Sequence, residues 1–415
     1  MDLAGWATIA TLAGVPLASI AAALAFAPRQ AVRREVGVKS FIQIRNHLKL
    51  HWTGLSSAAV EAHLGPPKPD LVPLLSQPGW ILSSPIEAGK VRLALREARP
   101  EEGFSELLDA ASRYWPVGAN GRRADRYTEA IAEHDRPKTW FDSTVYRLLA
   151  AHADENGELS LEFCLARYFD SLDAGEVLAY EAALRHLRGR SDLFGGPAFK
   201  AAASPAALSR RCAVPGVNTL TVRVETNGAF FFMHRRSASN VGSGMSATHV
   251  APSGEFQPHA DVLPVWTSDL DIARTVLREY AEEFLGHEDA ASTGGVVIDY
   301  ERSQPYARMY AAMRSGRMRL HVLCIGLNPL TWKPEICTVC VWEAAVFDRI
   351  FAGMLENNDE GVLAVGQRKS KGGFQGLPFT AENVLGYARH PMTLPEGQAP
   401  LMLAWRWRRE LGIVK

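Results

Sequence analysis

The chain has no excess of charge of either sign and few cysteines. Its 415 residues include 45 Lys plus Arg and 45 Asp plus Glu, so no global positive field exists to attract nucleic acid or an anionic surface. Nucleic acid is therefore not an expected partner, and any nucleotide must be held by a local site. The five cysteines are odd in number and scattered along the chain, which argues against a disulfide framework and favours a reducing compartment.

Only one cysteine pair has the CxxC spacing that zinc and redox sites use. Cys337 and Cys340 lie in the run Glu335–Trp342, and no second pair accompanies them. The β-branched and apolar residues of this run are typical of a buried strand, in which cysteine is an ordinary small hydrophobe. We interpret both cysteines as core residues, because half a zinc site is weak evidence for zinc.

A long uncharged stretch is present at the N-terminus. Leu3 to Ala27 contains 25 residues, and at about 1.5 Å per residue a helix of this length would cross a hydrocarbon core of roughly 30 Å. Basic residues follow from Arg29 onward, which by the positive-inside rule places the bulk of the chain in the cytoplasm. We predict a single-pass anchor in the inner (cytoplasmic) membrane. A signal peptide cleaved after Ala27 and a buried or surface helix are the alternatives.

Turn-rich runs divide the rest of the chain. Gly65–Asp70 reads as a linker, and Gly189–Pro205 has the loop-rich composition of a hinge. Between them, short strands precede the segment Ser160–Leu187, whose leucines and phenylalanine recur at helical spacing and predict helix. The predicted divisions are a transmembrane anchor (1–28), a juxtamembrane segment and linker (29–70), an α+β middle domain (71–205) and a C-terminal domain (206–415).

The C-terminal half has the pattern of a mixed sheet with helices. Asn218–Glu225 alternates apolar and polar residues as a half-buried strand does, and Gly228–Arg236 reads as its hairpin partner. Further along, the run from Leu320 and the run Ile336–Trp342 predict two more strands, with a helix at Tyr306–Arg314 before them. Thr380 is the predicted cap of the last substantial helix.

A helix between these two groups of strands carries the most informative residues. It is predicted to begin near Asp269 or Asp271, either of which suits an N-cap. Glu279, Glu282 and Glu283 fall together, opposite the apolar side of the helix. Carboxylates three and four residues apart are neighbours and repel each other unless a cation lies among them, and Mg²⁺ suits such oxygen ligands. The alternative is a solvated acidic face.

These residues resemble a known family. Arg278–Glu283 reads Arg-Glu-Tyr-Ala-Glu-Glu and is similar to the R-E-U-x-E-E core of the Nudix hydrolase box, in which U is a bulky aliphatic residue. The preceding Pro252–Glu255 looks like the Pro-Gly-Gly turn that opens the box. More broadly, the stretch from about Trp80 to Trp405 resembles uncharacterised bacterial Nudix-like proteins, some of them fused to helix-turn-helix regulators.

The resemblance implies a fold, a cofactor and a reaction. The fold would be an α+β chain whose C-terminal domain is a Nudix-like α/β/α sandwich with a mixed sheet. The metal ligands would be Glu279, Glu282 and Glu283, with Mg²⁺ or Mn²⁺ as the cofactor. Glu282 would serve in catalysis, Arg278 would steady the cluster, and Gly254 would be the opening glycine of the phosphate site. The family reaction is metal-assisted attack of water on a diphosphate linked to a nucleoside.

The sequence departs from the family box at several positions. When the box is aligned on Arg278, Leu270 stands where the box has a glutamate and Pro264 stands where it has a glycine. With Gly254 as the opening glycine, the loop to Arg278 is ten residues longer than the family spacing. Leu285 replaces the late glycine of the box. These changes favour a reading in which the protein binds a nucleotide without cleaving it.

Two further groups are candidates for the same site. Glu343 and Asp348 follow a predicted strand and would add a carboxylate to the metal or act as general base, with a helix cap as the alternative. Arg368 and Lys369 lie in a basic, glycine-flanked loop that would close over phosphates, with a solvated flexible loop as the alternative.

The expected function is that of a membrane-anchored cytoplasmic Nudix-like protein that binds a nucleoside-diphosphate derivative through a divalent metal. Three versions stay open at this point. They are a metal-dependent pyrophosphohydrolase, a catalytically inactive nucleotide sensor, and an interaction protein without any ligand. Substrate identity does not follow from the residues, and a homo-oligomer stays open as well.

Overall fold

The computed structural model describes residues 17–66, 68–97, 104–118, 121–154, 157–236, 247–287, 296–355, 361–364 and 374–414. Within these ranges, the α-helices are α1 (Leu17–Leu64), α2 (Phe104–Ser112), α3 (Tyr127–His134), α4 (Tyr168–Ser171), α5 (Val177–Leu187), α6 (Pro197–Ala202), α7 (Leu263–Ser268), α8 (Ile272–Glu279), α9 (Tyr306–Arg314), α10 (Ala344–Ile350), α11 (Ala381–Arg389) and α12 (Pro395–Arg406). Two π-helical turns are Leu172–Glu176 and Tyr280–Phe284.

The strands belong to three sheets. In chain order they are β1 (Ile81–Glu87), β2 (Arg92–Leu95), β3 (Thr144–Ala153), β4 (Leu159–Arg167), β5 (Gly216–Glu225), β6 (Gly228–Phe231), β7 (Met233–Arg236), β8 (Thr248–Val250), β9 (Ser253–Glu255), β10 (Met318–Leu327), β11 (Pro334–Glu343), β12 (Gly361–Ala364) and β13 (Leu377–Pro378). The main sheet has the order β1-β10-β11-β5-β6-β13, with β9 also paired to β5. The smaller sheets are β12-β7-β8 and β2-β4-β3.

Helix α1 bears on the predicted membrane anchor. It runs without interruption through the basic residues Arg29 and Lys39, and Gly65, at φ 82°, follows its end. In the described part of the chain, no helix is both long and apolar enough to cross a membrane. The transmembrane helix in the predicted fold class is therefore wrong for these residues, because only residues 17–27 of the apolar stretch lie in the described helix, fewer than the about 20 that a spanning helix needs. Residues 1–16 lie outside the described ranges, and the inner-membrane location stays a prediction.

The main sheet is mixed, as the C-terminal pattern predicts. β11 is parallel to β5, with Thr338 opposite Thr219, whereas β10 is antiparallel to β11. Both β5 and β11 are buried along almost their whole length, which is the pattern of strands covered on both faces. The predicted strands from Leu320 and over Ile336–Trp342 and the predicted helix Tyr306–Arg314 are confirmed.

Helices cover both faces of this sheet. On one face, Tyr280, directly after α8, contacts Thr221 of β5 and Trp342 of β11. On the other face, the thiol of Cys337 contacts the backbone oxygen of Glu396 in α12. Successive side chains of a strand point to opposite faces, so Cys337 and Cys340, three residues apart, face different layers. Both are fully buried, which confirms their interpretation as core residues.

The hairpin after β5 divides at Phe232. β6 pairs with β5 as predicted, but the remainder of Gly228–Arg236 forms β7, which joins a separate sheet with β8 and β12. One half of the predicted hairpin partner therefore extends the main sheet. The other half passes beside the helix that carries the glutamates.

The predicted helix over Ser160–Leu187 is only partly correct. Its second half forms α5, whereas Leu161 and Leu165 lie in strand β4. A separation of four residues fits one turn of a helix and also two repeats of a strand. The alternation of Leu159, Leu161 and Phe163, all fully buried, follows the strand period.

The main sheet takes strands from both predicted domains. β1, from the predicted middle domain 71–205, pairs with β10, from the predicted domain 206–415. The backbones of Leu75 and Leu327 also exchange two hydrogen bonds, of 2.9 and 2.8 Å. Hydrophobic residues of both segments belong to one continuous core.

Candidate functional site

Helix α8 begins at a well-formed N-cap. A carboxylate oxygen of Asp271 accepts hydrogen bonds from the amides of Ala273, at 2.7 Å, and Arg274, at 3.3 Å. This arrangement satisfies amide groups that a helix start leaves without partners and confirms Asp271 as one of the two predicted caps. After Glu279 the helix widens into the π-helical turn Tyr280–Phe284, a feature that is frequent at functional sites.

The glutamates of this helix pack against the turn that precedes it. The carboxylate of Glu283 accepts a 2.7 Å hydrogen bond from the amide of Ser253. A Cβ atom at Gly254 would lie 2.0 Å from an oxygen of Glu279, so the carboxylate occupies the space that any other residue would fill. The sequence placed the Pro252–Glu255 turn beside this helix only by resemblance, and the structure brings the two together.

The three glutamates differ in burial. The Glu283 side chain is only 1% exposed, whereas Glu279 and Glu282 are half-buried. The prediction that all three lie together on the side opposite the core is therefore wrong for Glu283. The π-helical turn changes the angular spacing after Glu279, and the turn at Ser253 covers that side of the helix. This burial does not match a solvated acidic face.

His234 of β7 approaches the same group of residues. Its Nδ1 atom is 3.9 Å from the second oxygen of Glu283, and both side chains are almost completely buried. A sequence pattern gives little warning of this contact, because β7 belongs to a different sheet from β5. The one available signal is that the predicted hairpin partner ends in a histidine and two arginines after a run of phenylalanines.

Arg278 points into the protein and holds the long loop before the helix. Its guanidinium donates to the carboxylate of Asp269 at 3.0 Å, to the hydroxyl of Tyr300 at 2.8 Å and to the backbone oxygen of Gln257 at 2.7 Å. Burial lowers the pKa of Arg278, but Tyr300, Asp269 and, to a smaller extent, Glu279 raise it, and the net result is a pKa above its ordinary value. Arg278 is thus a positioning residue beside Glu279.

Asp269 connects this arginine to a buried histidine. The backbone amide of His259 donates to Asp269 at 3.0 Å, and its Nδ1 lies 2.6 Å from the same carboxylate oxygen. Burial raises the pKa of Asp269, yet the bonds from His259 and the charge of Arg278 outweigh it and leave the pKa below its ordinary value. The lowered pKa keeps Asp269 ionised. Its carboxylate binds His259 and Arg278, so of the two aspartates that the sequence offered as caps, Asp271 caps the helix.

The departures from the family box have structural counterparts. Pro264 lies in the short helix α7, which occupies part of the longer loop between Gly254 and Arg278. Leu270 is half-buried and packs against the core. The position where the box has a glutamate thus supplies packing and no carboxylate.

The other predicted site residues do not join the glutamates. On β5, Val224 is the partner of Glu343, and Asn218 is the partner of Ser253 in the turn. The two positions on β5 are six residues apart. At about 3.3 Å per residue this separation is roughly 20 Å. Asp348 instead accepts two 2.8 Å bonds from the guanidinium of Arg223. Arg368 and Lys369 lie outside the described residues.

A second polar cluster, which the sequence did not indicate, lies on the opposite face of the sheet. Glu335 of β11 accepts a 2.8 Å bond from the side chain of Asn218, and Lys333 binds Glu255 at 2.8 Å. Burial raises the pKa of Glu335 to about 8 against the opposing charge of Lys333, and the nearby Glu396 and Glu255 add to the rise. Through Lys333 and Glu255 the cluster connects β9 to the residue that precedes β11.

The donor set of the helix suits a hard cation only in part. In the described residues, no group of three or more His, Cys, Asp or Glu side chains is arranged to hold a metal ion. Glu283 accepts the Ser253 amide, and Glu279 and Glu282 are the half-buried carboxylates of the motif. Mg²⁺ is commonly held by one or two carboxylates, with substrate phosphates and water completing its shell, and two carboxylates meet that requirement.

Comparison with known proteins adds no further resemblance. No protein-family model matches the chain, and no curated protein matches it.

Proposed function

We propose that the chain is a Nudix-like protein that binds a nucleoside-diphosphate-type ligand together with Mg²⁺ or Mn²⁺ at the surface formed by Glu279, Glu282 and the Ser253–Gly254 turn. One observation carries the proposal: a helix with the Arg-Glu-Tyr-Ala-Glu-Glu sequence packs the carboxylates of Glu279 and Glu283 on a Ser-Gly turn. The close approach at Gly254 brings backbone and carboxylate together without a side chain between them.

Each residue has a distinct part in the proposed site. Glu279 and Glu282 would hold the cation, which when bound would neutralise phosphate oxygens and lower the pKa of a bound water. Glu283 fixes the turn through the Ser253 amide. Arg278 fixes the loop between the turn and the helix through Asp269 and Gln257, so the turn and the carboxylates keep one geometry.

Binding without turnover is the version that the structure supports best. The half-buried Leu270 packs against the core at the position of a family carboxylate, and Glu343 lies roughly 20 Å along the sheet from the turn. Hydrolysis is the second candidate, and the retention of Glu279, Glu282 and Glu283 in one motif favours it.

Titration calorimetry of the full chain with ADP-ribose and dinucleotides, with and without Mn²⁺, tests the binding proposal. We expect binding that requires the metal and falls by at least about tenfold in Glu279→Gln and in Glu282→Gln, because each loses one charged oxygen ligand. Glu382→Gln, an exposed glutamate of α11, is the matched control and should bind normally.

The same samples separate the candidate functions. Release of phosphate-containing products that depends on metal and on Glu282 would establish hydrolysis. Binding without product would establish the sensor. If neither metal nor any ligand of the panel binds, or if Glu279→Gln and Glu282→Gln bind as the unaltered protein does, the proposed site is wrong.

A further inference from the structure

Three histidines meet where α1 packs on α5. His47 and His51 lie one turn apart on α1, and His186 lies in the last turn of α5. The Nε2 atom of His47 is 2.8 Å from the Nδ1 atom of His186. The ring centroids of His47 and His51 are 4.2 Å apart, and those of His51 and His186 are 5.7 Å apart. None of these residues belongs to the glutamate site.

The contact between His47 and His186 sets a condition on their protonation. A 2.8 Å approach of two ring nitrogens requires one of them to be a neutral acceptor, because two imidazolium rings have only donors and repel each other. Partial burial lowers the pKa of His47, and the charges of His51 and His186 lower it further. The contact itself therefore requires at least one neutral ring, which is the form that binds metals.

We propose that His47, His51 and His186 form a binding site for a transition-metal ion of the Zn²⁺ type that bridges α1 and α5. Zinc binds imidazole nitrogens at about 2.0–2.1 Å, so two nitrogens on one tetrahedral ion lie roughly 3.3 Å apart. To admit the ion, His47 and His186 would separate by about half an ångström from their 2.8 Å contact, lose the proton between them and tilt so that both nitrogens point at the metal. Two histidines four residues apart on a helix are also a recurrent zinc-binding pair.

The third ligand requires a local rearrangement. With the side chains in their present rotamers, the described residues contain no ready-made group of three such ligands. The ring of His51 is exposed and lies beside the ring of His47, tilted by 36°, and it would rotate to turn a nitrogen towards the ion. The backbone at His51 departs from helical geometry, with φ −109° and ψ 15°, so this position differs from a regular helical pair. Water would fill the remaining position, as in open zinc sites.

The ligand chemistry separates this site from the glutamate site. Imidazole nitrogens suit Zn²⁺, Ni²⁺ and Cu²⁺, whereas carboxylate oxygens suit Mg²⁺ and Mn²⁺. A metal at the histidines would join two helices whose contacting residues are 139 positions apart in sequence. It would thereby stabilise the packing of α1, independently of any nucleotide.

Titration calorimetry of the full chain with ZnCl₂ at pH 7.5, in the presence of excess Mg²⁺, tests the proposal. We expect one zinc ion per chain, and binding weakened at least about tenfold in His47→Asn and in His186→Asn, since each removes a nitrogen of the closest pair. His51→Asn should weaken binding by a smaller factor. X-ray absorption should show nitrogen ligands at about 2.0 Å.

Two controls make the outcome decisive. His152→Asn alters an exposed histidine on β3 and should leave zinc binding unchanged, as should Glu282→Gln at the glutamate site. Circular dichroism of each variant verifies that it is folded. Absence of zinc binding by the folded chain, or zinc binding that survives in folded His47→Asn and His186→Asn, would overturn the proposal.

Discussion

At the scale of single residues, burial decides what a charged side chain can do. Glu283 is almost completely buried and serves the backbone of Ser253, whereas Glu279 and Glu282 keep part of their surface open. The sequence motif predicted the same role, metal binding, for all three glutamates. Contacts made by a loop 30 positions away are not readable from helical spacing, and so their different environments were not predictable.

Glu335 provides a prediction on pH. Its pKa in the folded protein is about 8, above the ordinary value of 4.5. The protonated side chain therefore adds stability that is complete below pH 4.5 and is lost as the pH rises through about 8. Glu335→Gln, which stays neutral, should become more stable relative to the unaltered protein as the pH increases from 5 to 8.5.

Urea unfolding at the two pH values measures this difference. Glu343→Gln, at the exposed end of the same strand, is the control and should show no comparable change with pH. An equal free-energy difference between Glu335→Gln and the unaltered protein at pH 5 and pH 8.5 would contradict the assignment.

At the scale of elements, helices and strands whose apolar residues follow a single repeat were predicted well. The strands over Ile336–Trp342 and from Leu320 are confirmed, as is the helix Tyr306–Arg314, because each has a long run with a single repeat. Thr380 caps α11 as predicted, accepting a 3.3 Å bond from the amide of Asn383. The helix prediction for Ser160–Leu187 failed where the spacing fits both helix and strand. The π-helical turn after Glu279 has no counterpart in the apolar spacing of the helix.

The connection between α8 and its preceding loop provides a second prediction. Arg278→Met should leave the carboxylate of Asp269 buried without its arginine partner, and breaking such a buried pair costs about 3–5 kcal/mol. We expect the free energy of unfolding to fall by this amount in chemical denaturation. Ligand binding should weaken as well, because the loop that holds the turn is released.

Arg302→Met is the matched control for this experiment. The Arg302 side chain is 88% exposed and lies 3.9 Å from Asp299, an exposed pair of small energetic value. Its stability should change by less than about 1 kcal/mol. A similar small effect in Arg278→Met would show that the buried network does not hold the loop.

At the scale of the whole molecule, the main sheet joins segments that the sequence separates. The predicted divisions followed turn-rich composition, and composition carries no information on which strands pair. Residues 206–415 without β1 would expose the backbone edge of β10, and unpaired edges favour aggregation. We expect the fragment 206–415 to be insoluble or to melt without cooperativity.

The fragment 37–415, which keeps β1 and residues 37–64 of α1, is the comparison and should melt in one transition. Differential scanning calorimetry of both fragments measures the contrast. Cooperative melting of 206–415 at the temperature of the longer fragment would instead support the predicted boundary as a domain limit.

The three-residue strand β9 links the two sides of the sheet. Gly254 meets Glu279 in one helical layer, and the next residue, Glu255, binds Lys333 on the opposite side. Neighbouring positions of so short a segment cannot shift separately. A ligand that moves the turn by even a fraction of an ångström therefore changes the Glu255–Lys333 ion pair, and the far face of the protein can report on occupancy of the near one.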